Sequence, residues 1–196
     1  SGIEYTNEAF LDENGESRIL AIWDQTIQEG TPPEGFFFGS QYLRADINRA
    51  LGEENPKQRV RVQDLLRHGT IMAGIAVGSH VNGGSTYIGA APRADIVVVK
   101  LKEAKEYLRK YYFVPEGTPA YEESDIMLGI AYANQFAVEF RRPVVICLGV
   151  GTNMGDHAGN SILGRYLGKI ALQRSRAVIV SGGNEGIANH HFTWAF

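Results

Sequence analysis

The sequence predicts an α/β fold, a mainly parallel sheet carrying helices on both faces. Two observations lead there. Runs rich in β-branched residues alternate with segments whose apolar residues recur at helical spacing, and that alternation implies parallel pairing through right-handed crossovers. The runs at 95–101, 143–148 and 177–181 are also apolar almost without interruption, as strands covered on both faces are.

Taken in order, 17–24 (Ser-Arg-Ile-Leu-Ala-Ile-Trp-Asp) reads as the first strand, and a Gly/Pro/Phe loop fills 25–39. Leu43, Ile47, Ala50 and Leu51 are spaced i, i+4, i+7, i+8, which marks a helix with one apolar stripe. Residues 68–78 are small and apolar on most faces, so a helix buried nearly all round is expected. Asp95 to Leu101 is a continuous β-branched run and is expected to be a central parallel strand. The charged and aromatic stretch 102–123, with Tyr107, Tyr111, Tyr112 and Phe113, reads as a surface excursion. A helix follows on Ile126, Ile130, Ala133 and Ala137, then a strand at 143–148. A helix on Ile162, Leu163, Tyr166, Leu167 and Ile170 leads to a last strand at 177–181. In such sheets ligands bind beyond the carboxyl ends of the strands, so the turns after Leu101, Leu148 and Ser181 are the places to look for chemistry.

Composition narrows the function. A chain of 196 residues, 44% hydrophobic and 21% charged, suits one domain that buries about 70% of its unfolded surface. A net charge of −3 supplies no basic field for a phosphate backbone, and no apolar run reaches the length of a membrane span. No nucleic acid and no membrane span are therefore expected. The single cysteine, Cys147, excludes an internal disulfide framework and reads as a small core residue; it fixes no compartment, so localisation stays open.

Three segments could carry chemistry. His68 opens a helix as His-Gly-Thr, where the positive end of the helix dipole favours the neutral, base-competent imidazole. Alone, the motif is more simply read as a histidine that merely starts a helix and bonds a nearby carbonyl. Ser181-Gly-Gly-Asn-Glu-Gly follows the last strand, and Asn184 can present a neutral NH2 donor to a developing oxyanion. An ordinary glycine-rich turn with Asn184 in a left-handed conformation explains the same residues. Gly149, Val150 and Gly151 end the preceding strand run and could expose backbone groups to an extended peptide, or simply form a tight turn.

Other candidates have simpler explanations. His190 and His191 are adjacent and cannot easily turn to one ion, and no nearby carboxylate or cysteine completes a tetrahedral set. Asp156 and His157 read as solvated loop residues. Gly83-Gly84-Ser85 lacks the following Lys-Ser/Thr of a phosphate loop. No metal or other cofactor is expected.

In order along the chain stand His-Gly-Thr-Ile-Met-Ala-Gly-Ile-Ala-Val-Gly (68–78), Gly-Ala-Ala-Pro-Arg-Ala-Asp-Ile-Val-Val-Val-Lys-Leu (89–101), Val-Ile-Cys-Leu-Gly-Val-Gly (145–151) and Gly-Gly-Asn-Glu-Gly (182–186). Together they resemble the subtilisin-like serine proteases over essentially all 196 residues. The stretches 3–10 and 18–27 and the excursion at 102–123 are most similar to the clostridial subgroup that includes the spore-germination proteases, so a secreted or spore-associated protein would fit. The resemblance implies a three-layer α/β/α fold and a serine endopeptidase with a polypeptide substrate and a propeptide among its partners. It implies His68 as catalytic base and Asn184 as oxyanion-hole side chain. It further implies that Gly149, Val150 and Gly151 pair with substrate along one wall of the specificity pocket, and that Gly182 and Gly183 form the other wall. Gly149 stands where Ser or Ala is usual, Ser181-Gly-Gly replaces Ala-Ala-Gly, and Arg67 replaces the glycine before the histidine. All three bear on substrate preference and not on the fold, and the long side chain at 67 is also expected to crowd the approach to His68.

The family places its aspartate directly before the segment that matches Ser1-Gly2-Ile3, and its Gly-Thr-Ser-x-Ala segment downstream of the asparagine motif. Residues 1–196 thus read as a partial catalytic domain whose acid lies just upstream and whose serine lies past Phe196, inert by itself and needing the remainder of the domain. Sheet logic alone would nominate Asp24 for the acid, but the resemblance assigns that role elsewhere; Asp64 reads as a loop carboxylate. One rival is a pseudoprotease that keeps the fold as a regulatory or binding module. The other, a doubly wound nucleotide-binding domain, needs a phosphate-cradling glycine loop after the first strand, and Trp23-Asp-Gln-Thr-Ile27 offers none.

Overall fold

A computed structural model describes residues 2–79, 87–152, 154–155, 158–184 and 186–187. It divides into two compact units, Ser1–Ala133 and Asn134–Phe196. Asp156, His157, His190, His191 and the Gly83-Gly84-Ser85 loop lie outside the described residues.

The first unit is built on a three-stranded sheet. β1 (Ile19–Asp24) is its centre, flanked on one side by β2 (Ser40–Leu43), antiparallel, and on the other by β3 (Ile96–Lys100), parallel. The run at 95–101 therefore forms a strand as expected but not the central one, because the loop after β1 folds back as β2 and places β1 in the middle. Burial follows: five of the six β1 residues are buried, whereas in β3 only Ile96 is. β2 was not legible within its Gly/Pro/Phe surroundings. That loop is ordered by Trp23, which is fully buried among the rings of Phe36, Phe38 and Tyr132 and donates its indole N–H to the Phe38 carbonyl at 3.1 Å. Gly39 turns at φ +79°, and a side chain there would strike the Trp23 ring nitrogen.

Helix α1 (Arg44–Leu51) buries Ile47 and Ala50, the middle of the apolar stripe, while the Leu43 amide donates to Asp46 Oδ2 at 3.0 Å. After the single turn α2 (Pro56–Arg59), Val60 and Val62 enter the core beside Ile3, Tyr5, Phe10, Ile19, Ile22 and Ile96. The N-terminal segment is thus a core element. Helix α3 (His68–Val77) rests on this core through Ala73 and Val77. It is not buried all round: Ile71, Met72 and Ile75 are 58%, 41% and 52% exposed. Only one side of α3 meets the core of its unit, so an apolar composition on every face does not become burial on every face.

The excursion after β3 is at the surface as expected, and it contains a short helix, α4 (Glu106–Tyr111), flanked by the exposed rings of Tyr112 and Phe113. Next comes α5 (Glu123–Glu139), in which Ile126, Ile130 and Ala137 of the expected stripe are buried and Ala133 is half-buried; the boundary between the units falls inside it.

The second unit pairs β4 (Val144–Leu148) and β5 (Arg176–Val180) in parallel, joined by α6 (Ile162–Ala171), whose first turn is capped by Ser161 Oγ accepting the Gly164 amide. α6 packs against β5 and buries Ile170. Burial along β4 alternates: Ile146 is buried while Val145 and Cys147 are exposed. Cys147 is therefore not a core residue, since its face of the two-stranded ladder is uncovered. Of the three strand pairings described, two are parallel, in keeping with the expected α/β architecture. No described helix is long and apolar enough to cross a membrane.

Candidate active site

His68 is the first residue of α3 and is exposed. The helix beneath it is held at both ends. At its C-terminus the buried Arg18 guanidinium donates to the carbonyls of Val77, Ala9 and Ala94, a cation placed where the helix dipole favours one. At its N-terminus the residue before the histidine, Arg67, adopts φ 57°, ψ 0° and offers no capping side chain. Asp64 takes over that duty, its Oδ2 accepting the Thr70 amide at 2.8 Å and the Thr70 hydroxyl at 2.7 Å. The same hydroxyl accepts the Glu4 amide at 2.9 Å. Asp64 is thus more than a loop carboxylate: it bonds the third residue of the helix that His68 opens.

The Glu4 amide sits between two anchors, since Ile3 is 1% and Tyr5 0% exposed. Gly2 is pressed against Gln63, whose carbonyl oxygen would lie 2.3 Å from any Cβ at position 2. The Glu4 carboxylate accepts from Lys57 Nζ at 2.6 Å and Thr6 Oγ1 at 2.7 Å. Burial raises its pKa, but these two partners outweigh that and hold it below the ordinary carboxylate value.

Asp24 is fully buried at the end of β1, with Oδ1 accepting from the Thr26 amide and hydroxyl and Oδ2 3.1 Å from Lys100 Nζ. Both oxygens are thus engaged within the sheet end. A cavity of about 450 Å³ around β2, lined by Gly30, Asp46 and Arg59 among others, contains none of the predicted site residues.

The remaining candidates belong to the second unit. The ladder of β4 and β5 continues one step past the strands, where the Ser181 amide donates to the Leu148 carbonyl at 3.2 Å. Gly149-Val150-Gly151 and Gly182-Gly183-Asn184 therefore leave the carboxyl ends of adjacent parallel strands side by side, the location where open α/β sheets bind ligands. Gly151 and Gly182 have open space where a Cβ would stand. Gly183 takes φ +79°. Asn184 is exposed and is not among the non-glycine residues with positive φ, which in the described chain are Arg67, Phe113, Arg141 and Ser175. The left-handed position in this turn belongs to the glycine before it. Sequence reasoning missed the Asp64–Thr70–Glu4 connection; the only signal was a carboxylate four residues before His68, which does not reveal its partners.

A family model described as the subtilase family matches residues 1–193. Among solved structures, that of the Clostridium perfringens CspB protease superimposes with a TM-score of 0.78 at 30% identity, covering 95% of this chain and 35% of that one. The chain thus spans about a third of that protease's length. No curated protein matches. On the extent of the family match and the shared fold, the chain belongs to the subtilase family.

Proposed function

We propose that the complete protein is a serine endopeptidase and that residues 1–196 carry its base and half of its oxyanion hole. A serine elsewhere in the protein attacks the scissile carbonyl, and His68 accepts its proton and later delivers it to the leaving amine. An aspartate preceding Ser1 orients the imidazole and stabilises it when protonated. Asn184 and the serine's own N–H hold the oxyanion, while an extended substrate pairs along Gly149-Val150-Gly151 and is walled by Gly182 and Gly183. The substrate is a polypeptide, and a propeptide would use the same strand-pairing groove. The likeness to a clostridial protease is in keeping with a germination role.

One observation supports this most directly. The bond from the Glu4 amide to Thr70 Oγ1 ties the N-terminal segment to the turn that begins with His68, and the acid of the family precedes that segment.

The test uses the full-length protein and a chromogenic peptide. His68→Ala is expected to lower kcat by about 10⁶-fold, the scale on which subtilisin itself, a member of this family, suffers when its base is removed. Asn184→Leu is expected to lower kcat by about 10²–10³ with KM little changed, a figure that likewise comes from subtilisin and not from this structure. Near wild-type turnover in His68→Ala would overturn the assignment. Inactive wild-type protein with an intact serine would point instead to a pseudoprotease that uses the fold for binding.

A further inference from the structure

We infer that Asp64 is a positioning residue which, acting through the Thr70 hydroxyl, sets the N-terminal segment Gly2–Glu4 against the turn that presents His68. The inference rests on the peptidase reading for its functional consequence and on hydrogen-bond geometry for its structural content.

The geometry leaves the Thr70 hydroxyl one arrangement. Its oxygen accepts the Glu4 amide at 2.9 Å, so its proton must go elsewhere, and Asp64 Oδ2 at 2.7 Å receives it. Asp64 Oδ2 also accepts the Thr70 amide at 2.8 Å. Amide, hydroxyl and carboxylate thus form a directed chain, Glu4 to Thr70 to Asp64, joining residues 66 positions apart in sequence. Bonds to an ionised acceptor are shorter and stronger than neutral ones, and the acceptor here stands at a helix N-terminus, where the dipole favours a negative charge.

A cap alone would not need this arrangement. A Ser, Thr, Asp or Asn at the N-cap would bond the third helical amide directly, yet that position holds Arg67 with no capping bond. Duty has passed to a residue three positions earlier, whose Oδ2 bonds both the helix amide and the hydroxyl that holds Glu4. Its other oxygen, Oδ1, is buried with no hydrogen-bond partner among the described residues. Each end of the link is rigid. Ile3 and Tyr5 lock the Glu4 backbone into the core, Gly2 has no room to move toward Gln63, and Arg18 fixes the far end of α3.

The experiment compares full-length wild type with Thr70→Ser, Thr70→Val and Asp64→Ala. Valine keeps the shape of threonine and removes only the hydroxyl, so it remains informative should Asp64→Ala fail to fold. Two quantities are measured well below each thermal midpoint: kcat and KM on a chromogenic peptide, and the exchange rate of the Glu4 amide by mass spectrometry. Thr70→Val and Asp64→Ala are expected to lower kcat about tenfold or more with KM within twofold, and to speed Glu4 exchange, whereas Thr70→Ser keeps both near wild type. A purely structural link would lower the midpoint and leave kcat of the folded enzyme unchanged; that outcome, or a Glu4 amide that stays protected in Thr70→Val, overturns the inference. If wild type itself turns over no peptide, the peptidase reading is what fails, and Glu4 exchange alone decides whether the link exists.

Discussion

Arg67 shows how one backbone angle explains a departure from the family pattern. At φ 57° and ψ 0° it occupies the left-handed region, where a side chain costs about 1–2 kcal/mol and glycine nothing. Glycine gives back about 0.5–1 kcal/mol through its freer unfolded chain. Arg67→Gly is therefore expected to stabilise the protein by about 0.5–1 kcal/mol, measured as a raised denaturant midpoint, and a lowered midpoint would show that the arginine makes compensating contacts. The sequence exposed the substitution, and the resemblance pointed to crowding; only the dihedral angle gives the physical reason the family prefers glycine there. Asn184 makes the reverse case. A left-handed asparagine was a reasonable reading of Gly-Gly-Asn, but Gly183 carries the positive φ, so Asn184→Leu should alter the rate without straining the turn.

Between elements, legibility followed periodicity. Of the stripe on Ile126, Ile130, Ala133 and Ala137, three residues are buried and Ala133 is half-buried, because one helical face determines what packs. β2 is not legible because four residues beside Gly, Pro and Phe carry too little alternation, and the buried Trp23 ring of β1 organises the loop that leads to it. Cys147 is exposed against expectation for a related reason. An unbroken apolar run says that a strand exists, while coverage of each face depends on what packs there, and in β4 only the Ile146 face is covered. The N-terminal segment was legible as a resemblance but not as a core element. Its tie to α2 through Glu4 and Lys57 can be titrated. The Glu4 pKa is lowered in the folded protein, so the pair stabilises above the ordinary value of 4.5 and its contribution is lost as pH falls through the lower folded value. Thermal midpoints of wild type and Glu4→Gln should therefore differ at pH 7 in favour of wild type and converge toward pH 3. A difference that stays constant over this range would refute the linkage. Because the pair is partly exposed, added salt should shrink the gap.

At the scale of the whole molecule, triad chemistry needs a nucleophile and base within hydrogen-bond reach and a third group orienting the base, and the proposed reading draws only the base, His68, from this chain. Four of its described serines have other duties. Ser40 and Ser79 donate their hydroxyls to the carbonyls of Ile27 and Ala9, and Ser17 and Ser161 accept backbone amides, so these four are engaged in holding loops and a helix start. None of the nine serines in the sequence stands in the family's Gly-Thr-Ser-x-Ala segment. A serine without a base at its hydroxyl and without an oxyanion hole at the reacting phosphorus has only its intrinsic, feeble nucleophilicity toward a fluorophosphonate. Incubated with such a probe, residues 1–196 alone are expected to remain unlabelled, while the full-length protein incorporates one equivalent at a serine outside this stretch. Peptide mapping of the labelled material separates the outcomes. Stoichiometric label on any serine from 1 to 196 would show a nucleophile within the chain and overturn the division of labour proposed for His68 and Asn184. A full-length protein that takes up no label would place the loss at the serine or its acid and turn the fold toward a binding role.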